Sequence, residues 1–225
     1  MLRSCHFRYC RTMIGACALA LSALAATADE ADFKPLFNGV NLDGWTVWGD
    51  PAGFEVVDGV IRSEARGIGY GMYYDKREFS DFELRLEFRI PDRGNSGVFI
   101  RFDKDGPPQT NHPWVEAYEV QISYEQPPRE DIHTTGSLYG FQPVDPRPED
   151  KPDEWREMFI RCEGTLIQVW IDGTRVTVLD QAEREDLQDK ALSGYIGVQD
   201  NHGADDTYVE YRNIRIKDLS APIEE

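Results

Sequence analysis

The chain has 225 residues, 40% of them hydrophobic, and a formal net charge of −17, which is ample to bury a core at ordinary domain size. So acidic a surface repels phosphate backbones, and nucleic acid is excluded as an expected partner. Cys5, Cys10 and Cys17 sit at the extreme N-terminus, leaving Cys162 alone in the remainder, so no disulfide is expected within the folded part.

In chain order, Arg3, Arg8 and Arg11 precede an uncharged apolar run from Met13 to Ala26, then Ala26-Thr27-Ala28 and an acidic stretch opening at Asp29. Cationic, apolar and small residues in that order describe a secretory signal covering 1–28, with a secreted or periplasmic product. The apolar run is shorter than the roughly 20 residues a membrane span requires, so no span is expected after cleavage. Losing three arginines takes the formal charge to about −20. Residues 29–225 then read as one domain.

Strand signals dominate that domain. Phe82–Ile90 alternates apolar and charged residues without a break, which puts one face in a core and the other in water. Asp58-Gly59 and Asp172-Gly173 each separate two β-rich runs and predict tight hairpins. Further strands are expected at Gly97–Arg101, Tyr118–Ser123, Ser137–Gly140, Met158–Arg161, Tyr195–Gln199 and Tyr208–Ile216. Phe102–Trp114 and Gln142–Asp153 read as loops, the second carrying four prolines. Ala182–Leu192 has room for a turn or two of helix. Many strands with turn signals and no crossover helices give an all-β fold, an antiparallel β-sandwich or jelly roll.

Strand parity selects the candidate site. With Tyr118, Val120 and Ile122 facing inward, Glu119, Gln121 and Ser123 share the outer face. By the same rule Gln199 faces out opposite Ile196 and Val198. Arg101 faces out opposite Val98 and Ile100, and Arg212 faces out opposite Val209 and Tyr211. The phase slips at Arg212-Asn213, because Ile214 and Ile216 are next inward, and this predicts a bulge. These are planar donors and acceptors suited to sugar hydroxyls, although periodicity alone fits ordinary solvated residues as well. Beyond the expected signal, histidines stand at 112, 133 and 202. His202 follows Gln199-Asp200-Asn201 at a strand end, where acid–base groups are often built. Asp200 and His202 could also contribute to a divalent metal site, though further ligands are not evident in the sequence. Two absences matter. Glu116-x-x-Glu119-x-Gln121 lacks the Glu-x-Asp-x-Glu spacing of laminarinase-type sandwich hydrolases, so the usual carboxylate pair is missing. No Gly-x-Ser-x-Gly elbow, phosphate loop or zinc-protease helix is present.

Phe37–Trp45, Asn95–Arg101, Tyr118–Ile122, Thr135–Tyr139, Trp155 ahead of Gly164, Gly194–Gln199 and Val209–Ile216, taken in order, resemble the bacterial 3-keto-disaccharide hydrolase family, also described as 3-keto-glucoside 1,2-lyase/3-keto-2-hydroxy-glucal hydratase. The resemblance runs from about Phe33 to Leu219. It implies a concanavalin-like jelly roll and cleavage of 3-keto-glycosides by elimination across carbons 1 and 2 followed by hydration, with net hydrolysis. It also implies that a divalent metal could take part, as in some members. Onto the matching positions the expected assignment is Glu119 or His202 as base, with Arg101 and Arg212 as enolate or hydroxyl clamps. Gln121, Tyr139, Gln199 and Asn213 would orient the sugar, with Trp45 as a packing or stacking group. One departure stands beside it: Val115-Glu-Ala117 precedes Tyr118 where members often carry glycine. The competing class is a non-catalytic carbohydrate-binding domain on the same fold. Convergence of Glu119, Arg101, His202 and Arg212 on one pocket would favour the enzyme.

Overall fold

The computed structural model describes residues 30–48, 53–64, 71–104, 117–125 and 128–220. The expected signal 1–28, His112 and most of the 102–114 loop lie outside the described residues. Residues 30–33 form a short turn, in which the Phe33 N–H donates to the Glu30 carbonyl (3.3 Å).

From residue 34 onward the chain is a two-layer sandwich. In chain order its strands are β1 (Lys34–Pro35), β2 (Trp45–Trp48), β3 (Phe54–Val57), β4 (Val60–Glu64), β5 (Gly71–Tyr74), β6 (Phe82–Arg89) and β7 (Asn95–Phe102). They continue as β8 (Tyr118–Ser123), β9 (Arg156–Glu163), β10 (Leu166–Ile171), β11 (Thr174–Asp180), β12 (Tyr195–Gln199) and β13 (Tyr208–Asp218). One sheet has eight strands in the order β11-β10-β9-β6-β13-β4-β3, with β1 pairing β13, and the other has five in the order β2-β5-β12-β7-β8. The pairings are antiparallel throughout. This is the all-β sandwich that the alternation predicts.

Both hairpins form where Asp-Gly stands. Asp58-Gly59 (φ +52° and +79°) links β3 to β4, and Asp172-Gly173 (φ +48° and +77°) links β10 to β11. Two successive left-handed residues give the turn whose twist matches the strands it joins. Between the layers, Leu84, Leu86 and Phe88 of β6 pack with Val98 and Ile100 of β7 and Val120 and Ile122 of β8 in one fully buried core. Each such side chain contributes about 1.5–3 kcal/mol by leaving water. Tyr211 of β13 reaches across the layers, its Oη 2.6 Å from Ser96 Oγ, and Ser96 Oγ donates to the Gln199 carbonyl (2.8 Å).

Four local expectations can be set against the strands and loops. Ser137–Gly140 is not a strand. Gly136 and Gly140 adopt φ of +91° and +73°, which breaks an extended run, and Leu138 makes only isolated bridges to Val120 and Gln142. The 142–153 loop is irregular, as its prolines require, and 181–187 holds two short 3-10 turns. The bulge at Arg212-Asn213 is present: Asn213 has φ +52° and the β13–β6 register shifts between Arg212 and Arg215.

Candidate active site on the outer face of the five-stranded sheet

Strands β12, β7 and β8 lie side by side in the five-stranded sheet, and their outward positions bring Gln199, Asn95, Gly97, Glu119, Gln121 and Ser123 together. The 134–139 segment runs along the free edge of β8. There the Gln121 N–H donates to the Ser137 carbonyl (3.0 Å) and the Tyr139 N–H to the Glu119 carbonyl (2.9 Å). An edge covered in this way holds the backbone beneath Glu119 and leaves no strand open for pairing.

Glu119 sits opposite Phe99 in the register, and its carboxylate lies over Gly97 of β7. A Cβ at position 97 would stand 2.3 Å from Glu119 Oε1, so the glycine is what makes room for the carboxylate. Glu119 is 3% exposed, and burial pushes its carboxyl up to about 8, with the charge of Arg129 opposing that rise. Among the described residues its carboxylate takes no hydrogen bond.

The loop after β12 brings in His202. Asn201 is fully buried and accepts from the Asn95 and Gly203 N–H groups (both 3.2 Å) while donating to Thr207 Oγ1 (2.7 Å). The His202 N–H then donates to the Asn95 carbonyl (3.0 Å), which fixes the histidine at the end of β7. Its Nδ1 is buried without a hydrogen-bond partner. Burial holds the imidazole below its ordinary range, and the charges of Arg129 and Glu125 also act on it.

Glu125 and Arg129 are functional candidates that the sequence reading missed. Asn95 Nδ2 donates to Glu125 Oε1 (3.1 Å), and Arg129 Nε donates to Glu125 Oε2 (2.5 Å). Arg129 also lies near Tyr139, whose ring packs against His133 at a tilt, with centroids 4.7 Å apart. The i, i+4 spacing of Glu125 and Arg129 is visible in the sequence, but Gln126-Pro127-Pro128 between them gives no periodicity to aim either side chain.

Of the residues singled out from sequence, Glu119, Gln121, Gln199, Asp200, His202 and Tyr139 belong to this face or its rim. Gln121 is buried, and its Oε1 accepts from the Ile122 N–H (2.9 Å). Gln199 is buried with Oε1 unpartnered.

Three expectations are corrected. Arg101 does not face out. The β7–β12 register shifts between Tyr195 and Gly197, and Arg101 takes φ +56°, so a bulge turns its side chain into the molecule. There it donates to the Ser80 carbonyl (2.8 Å) close to Asp81 (3.7 Å), with no side-chain exposure. Arg212 and Asn213 do face out, but from the eight-stranded sheet. Both donate to Glu87, and the Arg212 guanidinium lies 4.0 Å over the Trp155 ring. Trp45 is a core residue, its Nε1 donating to the Leu36 carbonyl (2.8 Å) and its ring edge-on to Tyr74. The expected four-residue constellation therefore separates, with Glu119 and His202 on one face and both arginines elsewhere.

Among the described residues no three His, Cys, Asp or Glu side chains are placed to share an ion, at Asp200 and His202 or elsewhere.

The family model described as "3-keto-alpha-glucoside-1,2-lyase-like domain" matches residues 32–217. A curated relative from Bacteroides thetaiotaomicron named 3-keto-disaccharide hydrolase is 26% identical over 244 residues, covering 88% of this chain and 82% of its own. Among solved structures, one putative glycosyl hydrolase from Parabacteroides distasonis aligns with TM-score 0.70 at 26% identity, covering 83% of this chain and 99% of that one. A second from the same organism aligns with TM-score 0.72 at 22% identity, covering 86% and 97%. The carbohydrate-binding module CBM66 from Bacillus subtilis shares the fold at TM-score 0.52 and 14% identity, covering 77% and 95%.

Proposed function

This chain belongs to the 3-keto-alpha-glucoside-1,2-lyase-like domain family, and from that premise we propose that it cleaves glycosides already oxidised at carbon 3. One observation carries the reading. Asn95 Oδ1, Ser123 Oγ, Gln199 Oε1 and His202 Nδ1 surround the buried Glu119 carboxyl, and none of these four atoms has a hydrogen-bond partner among the described residues. Each buried, unmatched polar group costs about 1–3 kcal/mol. So many of them together favour a polyhydroxylated ligand that satisfies them on binding.

A ketone at carbon 3 acidifies the hydrogen on carbon 2. Near neutral pH, Glu119 is mostly protonated and His202 neutral, so the resting pair is already an acid and a base. His202 takes the carbon 2 proton, and the C–H electron pair becomes the C2=C3 bond of an enolate, with the carbonyl pair moving onto oxygen 3. As that pair returns, the C2=C3 electrons form C1=C2 and the C1–O bond breaks. Glu119 then protonates the departing aglycone oxygen. Addition of water, hydroxyl to carbon 1 and proton to carbon 2, regenerates the keto-sugar and completes a net hydrolysis. One carboxyl and one imidazole suffice, which accounts for the missing carboxylate pair. We further propose that residues 1–28 export the protein.

The decisive experiment supplies a 3-keto-glucoside with a chromogenic aglycone, as both anomers, beside the parent glucoside, with and without chelator. Aglycone release from the keto form only is expected. Measurable sugar binding without release of aglycone from either anomer would leave a binding domain and sink the enzyme.

A further inference from the structure

Arg101 and Arg212 leave the Glu119 face, so the enolate formed there would lack both of the cations expected for it. A different guanidinium stands in that place. We propose that Arg129 stabilises the enolate oxygen, with Glu125 as the residue that positions it; this rests on the elimination reading above.

The geometry converges on Arg129 from two sides. Glu125 binds its Nε, and Asn95 Nδ2 in turn holds the other oxygen of Glu125 (3.1 Å). Asn95 lies on the outer face of β7 two residues before Gly97, the position over which the Glu119 carboxylate rests. On the other side Arg129 lies near Tyr139, whose backbone N–H is tied to the Glu119 carbonyl (2.9 Å). The Arg129 backbone is itself anchored, since Arg147 Nη1 donates to its carbonyl and to Asp131 Oδ1 (both 2.8 Å). The Arg129 charge acts on both Glu119 and His202.

The chemistry suits the position. A guanidinium keeps its protons at any working pH, so it donates hydrogen bonds to the enolate without protonating it. Glu125 holds Nε, and the terminal nitrogens supply the donors for oxygen 3. Charge grows on that oxygen only as the carbon 2 proton leaves, so a fixed cation lowers the barrier more than it strengthens ground-state binding. No electron or proton is transferred to Arg129 in the cycle.

The test uses the full chain and the chromogenic 3-keto-glucoside, with calorimetric binding of the parent glucoside and thermal melting alongside. For R129Q, kcat is expected to fall about 10²–10³-fold with KM within a few-fold and melting little changed. R129K should recover part of the loss, and E125Q should fall between wild type and R129Q. Removing the charge also lets Glu119 rise further, so any high-pH limb in kcat should move to higher pH in R129Q. Wild-type-like kcat in R129Q, or equal weakening for the keto and parent sugars with kcat intact, would overturn the assignment. If R129Q does not melt cooperatively, R129K decides, and wild-type kcat there overturns the assignment equally. An inactive wild type would fail the elimination reading itself, before any variant is compared.

Discussion

Glu119 owes its chemistry to a neighbour with no side chain. A carboxyl buried over Gly97, short of hydrogen-bond donors, keeps its proton well above the ordinary carboxylate range, up to about 8. If it donates that proton to the leaving aglycone, kcat should decline as pH rises through about 8, and E119Q should abolish the limb along with most of the turnover. A rate that climbs through the same pH would instead assign Glu119 as the base. Gly97 offers an independent check. Its φ is unremarkable, so G97A carries little backbone strain, but the new methyl would collide with Oε1 and Cγ of Glu119 at 2.3 and 2.7 Å. We expect G97A to fold and to lose at least about tenfold in aglycone release, because small misplacements of a reacting group are costly. Unchanged kinetics in G97A would mean that the carboxylate position is not critical.

At the scale of elements, two bulges decide which arginines reach the site. In β7 the left-handed residue is Arg101 itself, and the extra residue rotates its side chain from the outer face to the inside. In β13 the irregularity at Asn213 keeps Arg212 and Asn213 outward, on the face of the eight-stranded sheet, where Glu87 takes both. Arg212 is therefore a structural residue, held by a half-exposed ion pair and the Trp155 ring. R212A should leave aglycone release within about twofold of wild type and cost about 1 kcal/mol or less, read from denaturant melts. A large loss of kcat in R212A with intact melting would place it back in the chemistry. The ordered 134–139 segment matters more. By pairing with the edge of β8 it fixes the Glu119 backbone and presents Tyr139 at the rim.

For the whole molecule, a protonated buried carboxyl links stability to pH. The folded state holds the Glu119 proton up to about 8, whereas the unfolded chain releases it near the ordinary carboxylate value of 4.5. Glu119 thus costs nothing below about pH 4.5 and destabilises the fold progressively as pH rises from there through about 8. E119Q should therefore melt several degrees above wild type at pH 9 and close to it at pH 5. Equal melting temperatures at pH 9 would mean that the carboxyl is better solvated than its burial indicates. The Cys162 thiol, pushed up to about 12 by burial in the core, should contribute nothing to reactivity at working pH.

The sequence by itself determined the class of fold. Unbroken alternation at Phe82–Arg89 and Asp-Gly at both hairpins specify a half-buried antiparallel sheet, because side-chain period and turn sterics are local properties. Parity likewise placed Glu119, Gln121 and Gln199 on outer faces, and the order of short motifs carried the family. Membership of one site was not local. Outward positions on β8 and β13 belong to different sheets, so Glu119 and Arg212 share a parity but face away from each other across the sandwich. One left-handed residue in β7 removed Arg101, and no alternation rule foresees that bulge. Arg129 enters from an aperiodic Pro-Pro segment, and only the tertiary structure, through Glu125 and Asn95, brings its charge to Glu119.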